Sequence, residues 1–482
     1  MVGTSSRCIL LLVAGATGPG VAAVKRVKPH IQKRSFFQKW VSGPAVAAAA
    51  LSSGASADRP TTFSETQAQL QHYMLDPVAM TDAFHNFAAS HGKPYVSAVE
   101  AHSSADNDGK HSEKHQFGFV PAPGLEEEYQ NRKKVFEDNV LRAIAQNTDS
   151  KMELLGKNRI NRDGSVPDEF ETKLARFGVT KFMDLKPEEF AHFYLGMRNM
   201  KRTEKKALMD NMEKEDVRLA ISSDRFLPKE SLLPTETKDW RDADVITDVK
   251  DQGQCGSCWA FSTVEQVESM ARVEGITTDF VGAPQELVSC DHNGDMGCNG
   301  GLPTNAFDWL EDKPLEAEVD YPYMSGITRE TGKCKADFSE GKIKVTSFKS
   351  ISEDEKDPFH TGEKKMIKYV LQSGPLSLGV DAQQWQLYSG GVMSATSCAA
   401  EQLDHAVQAV AYYGDAEEPY WVVRNSWNTD WGEEGFIRLA AGENACMMAG
   451  MATTVSVETV DPVKTVETPG PRIEEVPEDM VV

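Results

Sequence analysis

Between residues 233 and 456 the apolar positions change period part-way along the chain. Residues 258 to 272 repeat on a helical period, with Phe261, Val264, Val267 and Ala271 on one face and Gly275 as a stop. After Ser373-Gly374-Pro375 the pattern becomes short β-like runs at 376–380, 406–413, 420–424 and 435–439. Helix first and strands later predict an α+β domain with segregated halves. Upstream, residues 58–232 are polar, charged and mostly helical in period. Leu125, Tyr129, Phe136, Val140 and Ile144 mark one helical face within 125–147. Residues 96–123, rich in Ser, His, Asp and Gly, read as loop, and 199–216, dense in charge, as an exposed linker. There is no internal repeat.

The ends differ from both regions. Residues 1–57 hold seven Lys or Arg and no acidic residue, with apolar runs at Cys8–Ala16 and Val46–Leu51. This is a targeting composition, and neither run is long enough to span a bilayer. Ala55-Ser56-Ala57 has the spacing of a signal-peptidase site, so secretion is favoured over a bipartite organellar address. Residues 457–482 hold seven acidic residues, four prolines and no aromatic, and read as a disordered acidic tail. The expected organisation is therefore 1–57, 58–232, 233–456 and 457–482. A net charge of −22 over 482 residues argues against nucleic acid as a partner, because a phosphate backbone needs a basic face.

Of eight cysteines, Cys8 stands alone and seven fall between Cys255 and Cys446. Three disulfides among seven leave one thiol over, in a chain whose clustering suits an oxidising compartment. Repeated CxxC pairs are missing and only His292, His360 and His405 are at hand, so no metal and no cofactor is expected.

Asp251-Gln-Gly-Gln-Cys-Gly-Ser-Cys-Trp-Ala-Phe-Ser262 puts Cys258 in the first turn of the predicted helix. Unpaired N–H groups and the helix dipole favour an anion there, which predicts a thiol that ionises easily. A disulfide role for Cys258 stays open on the spacing alone. A thiolate needs a proton donor for its leaving group, and histidine suits. His292 and His360 lie in polar loops, whereas His405 opens a predicted strand that would hold it rigidly.

Gln252, Cys255-Gly-Ser-Cys258-Trp-Ala-Phe, then Leu403-Asp-His405-Ala-Val, then Arg424-Asn425-Ser-Trp427-Asn-Thr-Asp-Trp431-Gly-Glu resemble the papain-like cysteine peptidases of the cathepsin L branch. The resemblance runs from Asp239-Trp240-Arg241 to Cys446. It implies a helical half and a β-barrel-like half with a cleft between, after a mainly helical inhibitory prosegment. It further implies an endopeptidase made as a zymogen. Cys258 would be the nucleophile, His405 its ion-pair partner and general acid/base, and Asn425 the residue that orients the imidazole. Trp427 would shield that bond, Gln252 would serve the oxyanion, and Trp431 would line the leaving-group side.

The same resemblance pairs Cys255 with Cys298, Cys290 with Cys334 and Cys398 with Cys446, whereas spacing alone permits fifteen pairings. Gly300 and Gly301 resemble the strip that binds an extended substrate. Leu302, Pro303, Gly379, Leu403, Ala406 and Met451 match the second specificity pocket, with Asp404 among the substrate-binding positions. None of the pocket positions is acidic, so an apolar P2 residue is expected. Glu128, Arg132, Phe136, Asn139 and Asn147 resemble the helical prosegment motif, with Ala143 departing from it. Gly178-Val-Thr180-Lys-Phe182-Met-Asp184 resembles the second motif, with Thr180 departing. Asn428 replaces a usual glycine, and the 414–419 loop is longer than in the shortest relatives. Expected partners are polypeptide substrates, the chain's own prosegment and cystatin-type inhibitors, for a monomer bound for the lysosome, vacuole or exterior. Maturation cleavage is expected within 220–234. The competing reading is a non-catalytic binding or inhibitory protein on the same fold.

Overall fold

The computed structural model describes residues 59–100, 117–198, 233–353 and 361–460. The targeting region, the 199–216 linker, most of the expected cleavage region, His360 and the tail beyond 460 lie outside the described residues.

The N-terminal segment begins with α1 (Phe63–Leu75) and α2 (Pro77–Ser90). Thr62 caps α1 in a capping box with Glu65, and the Asp76 carboxylate accepts the first N–H groups of α2. Strands β1 (Val96–Glu100) and β2 (Phe117–Pro121) follow, paired antiparallel from Val96↔Pro121 to Glu100↔Phe117. The expectation of loop across 96–123 is thus corrected at both ends. Two short strands flank a polar stretch, and composition averaged over all of it hides them. Helix α3 (Glu126–Gly156) buries Phe136, Val140, Ala143 and Ile144 on its predicted face. Phe84 and Phe136 meet edge to face at 5.6 Å, which locks α2 to α3. Strand β3 (Arg176–Phe177) and helix α4 (Pro187–Tyr194) complete the segment.

The motif polar residues of α3 organise the chain after it. Arg132 bridges Glu128 (2.6 Å) and Glu189 (2.8 Å), and also donates to the Asp184 carbonyl. Asn139 Nδ2 donates to the Met183 and Leu185 carbonyls, each at 2.9 Å. Asn147 exchanges two bonds with the Phe177 backbone. These buried amides replace the ladder that an irregular segment lacks.

In the C-terminal domain β4 (Thr237–Asp239) precedes α5 (Cys258–Val273), α6 (Pro284–Cys290) and α7 (Pro303–Asp312). Then come β5 (Ile343–Ser352), α8 (Thr361–Gln372), β6 (Leu376–Val380), β7 (Tyr388–Gly390) and β8 (Val392–Met393). The last four are β9 (His405–Tyr413), β10 (Tyr420–Arg424), β11 (Phe436–Ala440) and β12 (Met451–Thr459). One sheet runs β5-β12-β6-β9-β10-β11-β8, with β4 on β9. Helix α5 is buried along nearly its whole length, and Gly275 at φ 70° closes it while Ile276 N–H reaches the Ala271 carbonyl.

Strands do not wait for Pro375 as the periodicity suggested. Strand β5 lies earlier, and its partner β12 runs to Thr459↔Ile343, past the expected end of the domain at 456. Two register shifts interrupt that pairing, so neither strand shows a clean alternation in sequence. Among the described residues no helix is long and apolar enough to cross a membrane.

Candidate active site

Cys258 is the first residue of α5 and its thiol is free, whereas Cys255, three residues earlier, is bonded to Cys298. That disulfide, with the Gly256 N–H to Cys298 carbonyl bond at 3.0 Å, lays the Gly300-Gly301 strip beside the helix start. Gly301 has no room for a side chain: a Cβ there would lie 2.6 Å from the Trp259 ring and 2.7 Å from Asp295 Oδ1. Bonds Cys290–Cys334 and Cys398–Cys446 complete the set that the resemblance implied.

His405 begins β9, and its Nε2–H donates to Asn425 Oδ1 at 2.8 Å. Asn425 Oδ1 also accepts the Ser426 N–H, which fixes it as the acceptor side of the amide. His405 Nδ1 is buried with no hydrogen-bond partner. The Cys258 sulfur takes the backbone N–H of Ala406, the very next residue, so thiol and imidazole share one end of β9. Trp427 stacks on the imidazole at 4.7 Å and Trp385 stands against its edge at 6.1 Å. Trp431 packs on both tryptophans, at 4.8 and 6.1 Å.

Gln252 is fully buried, unlike an ordinary surface glutamine. Its Oε1 accepts from Ser426 Oγ (2.8 Å) and Trp427 Nε1 (3.1 Å), which turns Nε2 toward the cleft. There Nε2 donates to the carbonyls of Cys255 (3.0 Å) and Tyr194 (3.3 Å).

Tyr194 ends α4, and the residues after it fill the cleft. Gly196 N–H hydrogen-bonds the Cys258 sulfur, and its carbonyl accepts Gly301 N–H at 3.0 Å. Met197 N–H donates to the Asp404 carbonyl (2.9 Å) and Arg198 N–H to the Gly301 carbonyl (3.0 Å). Any side chain on Gly196 would collide with the Gly256 backbone. Met197 is packed with Leu302, Leu403, Ala406 and Met451, with Met447 against the group. A Cβ on Gly379 would lie 2.8 Å from Met197 Cε.

A family model described as papain family cysteine protease matches residues 234–456. Cysteine proteinase A of Leishmania mexicana is 39% identical over 284 residues, covering 58% of this chain and 72% of that one. The chain belongs to the papain family of cysteine proteases. A cysteine proteinase of Trypanosoma brucei brucei is 36% identical over 277 residues, covering 57% of this chain and 55% of that one. Among solved structures, digestive procathepsin L 3 of Tenebrio molitor larval midgut shares the fold at TM-score 0.54 and 24% identity, covering 78% of this chain and 99% of that one. A recombinant stem bromelain precursor does so at TM-score 0.51 and 23% identity, covering 79% and 99%. This cysteine endopeptidase therefore shares its fold with solved proenzymes over most of the chain.

In the precursor of this papain-family peptidase, burial overrides the helix terminus. Cys258 is pushed up to about 12, chiefly by desolvation, although the Ala406, Gly196 and Trp259 N–H groups pull the other way. His405 is pushed down to about 4 by burial, against the opposing effect of Asn425. Burial in the covered state therefore works against the easy ionisation that the helix terminus favours.

The structure gathers Leu302, Leu403, Ala406, Met451 and Gly379 about Met197. Pro303, next to Leu302, is buried as the first residue of α7. Asp404 contributes its main-chain carbonyl, while its side chain turns away to accept the Ala382 N–H at 2.9 Å. Sequence reasoning missed Met447, Trp385 and the covering Tyr194–Arg198 stretch. A glycine next to an apolar residue just after a short helix was the only local signal for the last of these. Among the described residues no group of three His, Cys, Asp or Glu is placed to hold a metal ion.

Proposed function

We propose that the chain is an autoinhibited zymogen whose mature form cleaves peptide bonds through a Cys258 thiolate and a His405 imidazolium. The observation that carries this reading is the His405 ring, held through Nε2 by Asn425, with Nδ1 left unpartnered at the end of β9 that meets the thiol of α5. Nδ1 takes the thiol proton, and the sulfur attacks the scissile carbonyl carbon. The oxyanion that forms is met by Gln252 Nε2–H and the Cys258 backbone N–H. The imidazolium then protonates the departing amine, leaving a thioester that water, deprotonated by His405, hydrolyses. Asn425 acts by orienting the ring and Trp427 by keeping water from the bond between them.

Latency follows from what the prosegment offers the sulfur. An N–H, that of Gly196, faces it where a substrate would bring a carbonyl carbon. The prosegment carbonyl within reach of Gln252 belongs to Tyr194, two residues away. Uncovering the cleft readmits water, lessens the desolvation of both groups and lets the ion pair form. Met197, seated among Leu302, Leu403, Ala406 and Met451, stands for the apolar P2 residue we expect in substrates. Disulfides and targeting composition support a secretory route ending in a lysosome, vacuole or outside the cell.

After acid treatment, a Leu-Arg dipeptide reporter should be hydrolysed and an Arg-Arg reporter barely so. Cys258→Ala should abolish the first activity. Equal use of both reporters would overturn the P2 assignment, and activity surviving in Cys258→Ala would overturn the nucleophile.

A further inference from the structure

Most polar groups where the prosegment meets the peptidase domain find partners across the contact. Thr180 Oγ1 donates to the Gln386 carbonyl (2.7 Å), and Gln386 Nε2 donates to the carbonyls of Phe182 (3.0 Å) and Leu185 (2.8 Å). Arg176 on β3 is different. Its strand pairs it with Gly390 of β7, and its side chain lies over that glycine, where a Cβ would come within 2.6 Å of Arg176 Cζ. Arg176 is 8% exposed, and its Nε and Nη1 are closed off from water without a hydrogen-bond partner.

The carboxylate that acts on it most strongly is Glu433, and that carboxylate is already engaged. Glu433 Oε2 accepts Arg438 Nε at 2.8 Å, while Oε1 accepts Arg438 Nη2 at 2.7 Å and the Gly391 N–H at 3.0 Å. Arg438 therefore brings a second guanidinium to the same counter-charge, and it opposes the charge on Arg176. Glu65, on α1, is exposed and accepts the Thr61 and Thr62 N–H groups. Tyr388, the remaining neighbour, donates its hydroxyl to the Gly391 carbonyl (2.6 Å). Burial pulls the guanidinium below its ordinary range in spite of Glu433, so the charge is less favoured here than in water. Gly390, Tyr388, Glu433 and Arg438 all belong to the peptidase domain, which makes this burial a cost of docking.

We propose that Arg176 is a built-in weak point of the autoinhibitory contact: a charge carried under the cover without acceptors, which keeps the prosegment releasable. The inference rests on the reading of residues around Tyr194–Arg198 as the cover of Cys258 given above. Replacing a buried charge that lacks partners by an apolar side chain of similar volume stabilises an interface. Loss of the guanidinium should therefore tighten latency, the reverse of what the loss of an ordinary contact residue does.

The experiment follows alkylation of Cys258 by iodoacetamide in the unprocessed full chain at pH 7, mapped by mass spectrometry. Where reclosing outpaces alkylation, the rate reads the fraction of chains that are uncovered. Arg176→Met should slow it about tenfold or more, and Arg176→Leu should do the same with a different shape. Both variants should also mature more slowly than the wild type at one fixed acid pH. Once matured, both should hydrolyse a Leu-Arg reporter at the wild-type kcat/KM, which shows that each chain folded. Alkylation that is unchanged or faster in both variants, with Cys258 of the wild type still protected before maturation, would overturn the role of Arg176 alone. Alkylation of the wild type as fast before maturation as after it would overturn the cover itself, and this proposal with it.

Discussion

Glu153 on the prosegment and Glu286 in the peptidase domain are both carboxylates withdrawn from water, and acid acts on them in opposite directions. Glu153 joins α3 to the domain through Ser394 (2.5 Å) and Thr396 (2.8 Å). Burial alone would raise it, but bonds from Lys157, Ser394 and Thr396 together hold it below the usual carboxylate range. Its contribution is present above its unfolded value and is lost as pH falls through the lowered one. Glu286 accepts only a backbone N–H, that of Glu316, and desolvation pushes it up to about 8. Its contribution is complete below the unfolded value and is lost as pH rises toward 8. Glu265 and Asp404, each pushed up to about 7 chiefly by burial, behave like Glu286.

The contact between the two parts also carries exposed ion pairs. Lys181 meets Asp430 (3.1 Å) and Asp251 (3.6 Å), Lys173 meets Glu417, and Arg159 meets Glu418. Acid that protonates Glu153 weakens the cover while favouring the domain beneath.

The largest expected effect tests the domain side. Glu286→Gln should remove a pH penalty of ~4 kcal/mol at pH 7.5, judged from a value near 8 against an ordinary carboxylate. Denaturant midpoints of the mature domain should then differ less between pH 5 and pH 7.5 than in the wild type. An unchanged difference would remove Glu286 from the comparison. Next, Met197→Ala empties the apolar pocket of its plug at a cost of about 2–3 kcal/mol. Alkylation of Cys258 in the unprocessed chain should accelerate about thirty- to a hundredfold, mapped by mass spectrometry. The smallest effect belongs to Lys181→Ala, worth about 1 kcal/mol because its partners are exposed. Acid maturation should begin at higher pH in that variant, and an unmoved threshold would show that these surface pairs are idle.

Much of the site was legible because its chemistry is local. The Cys255–Cys258 spacing, the start of α5 and the opening of β9 at His405 are each set within a few residues of chain. Gly301 and Gln252 were legible only through resemblance, since their roles depend on Trp259, Asp295, Ser426 and Trp427 arriving from elsewhere. Strands β5 and β12 escaped because pairing between residues a hundred positions apart, broken by two register shifts, leaves little local period.

The sequence by itself determined the kind of chemistry and, through seven clustered cysteines, that one thiol would be left over, because residue type and count decide those. Only the tertiary structure decided the state of that chemistry. Burial opposes the ionisation that a helix terminus alone would favour, and desolvation depends on everything packed around a group.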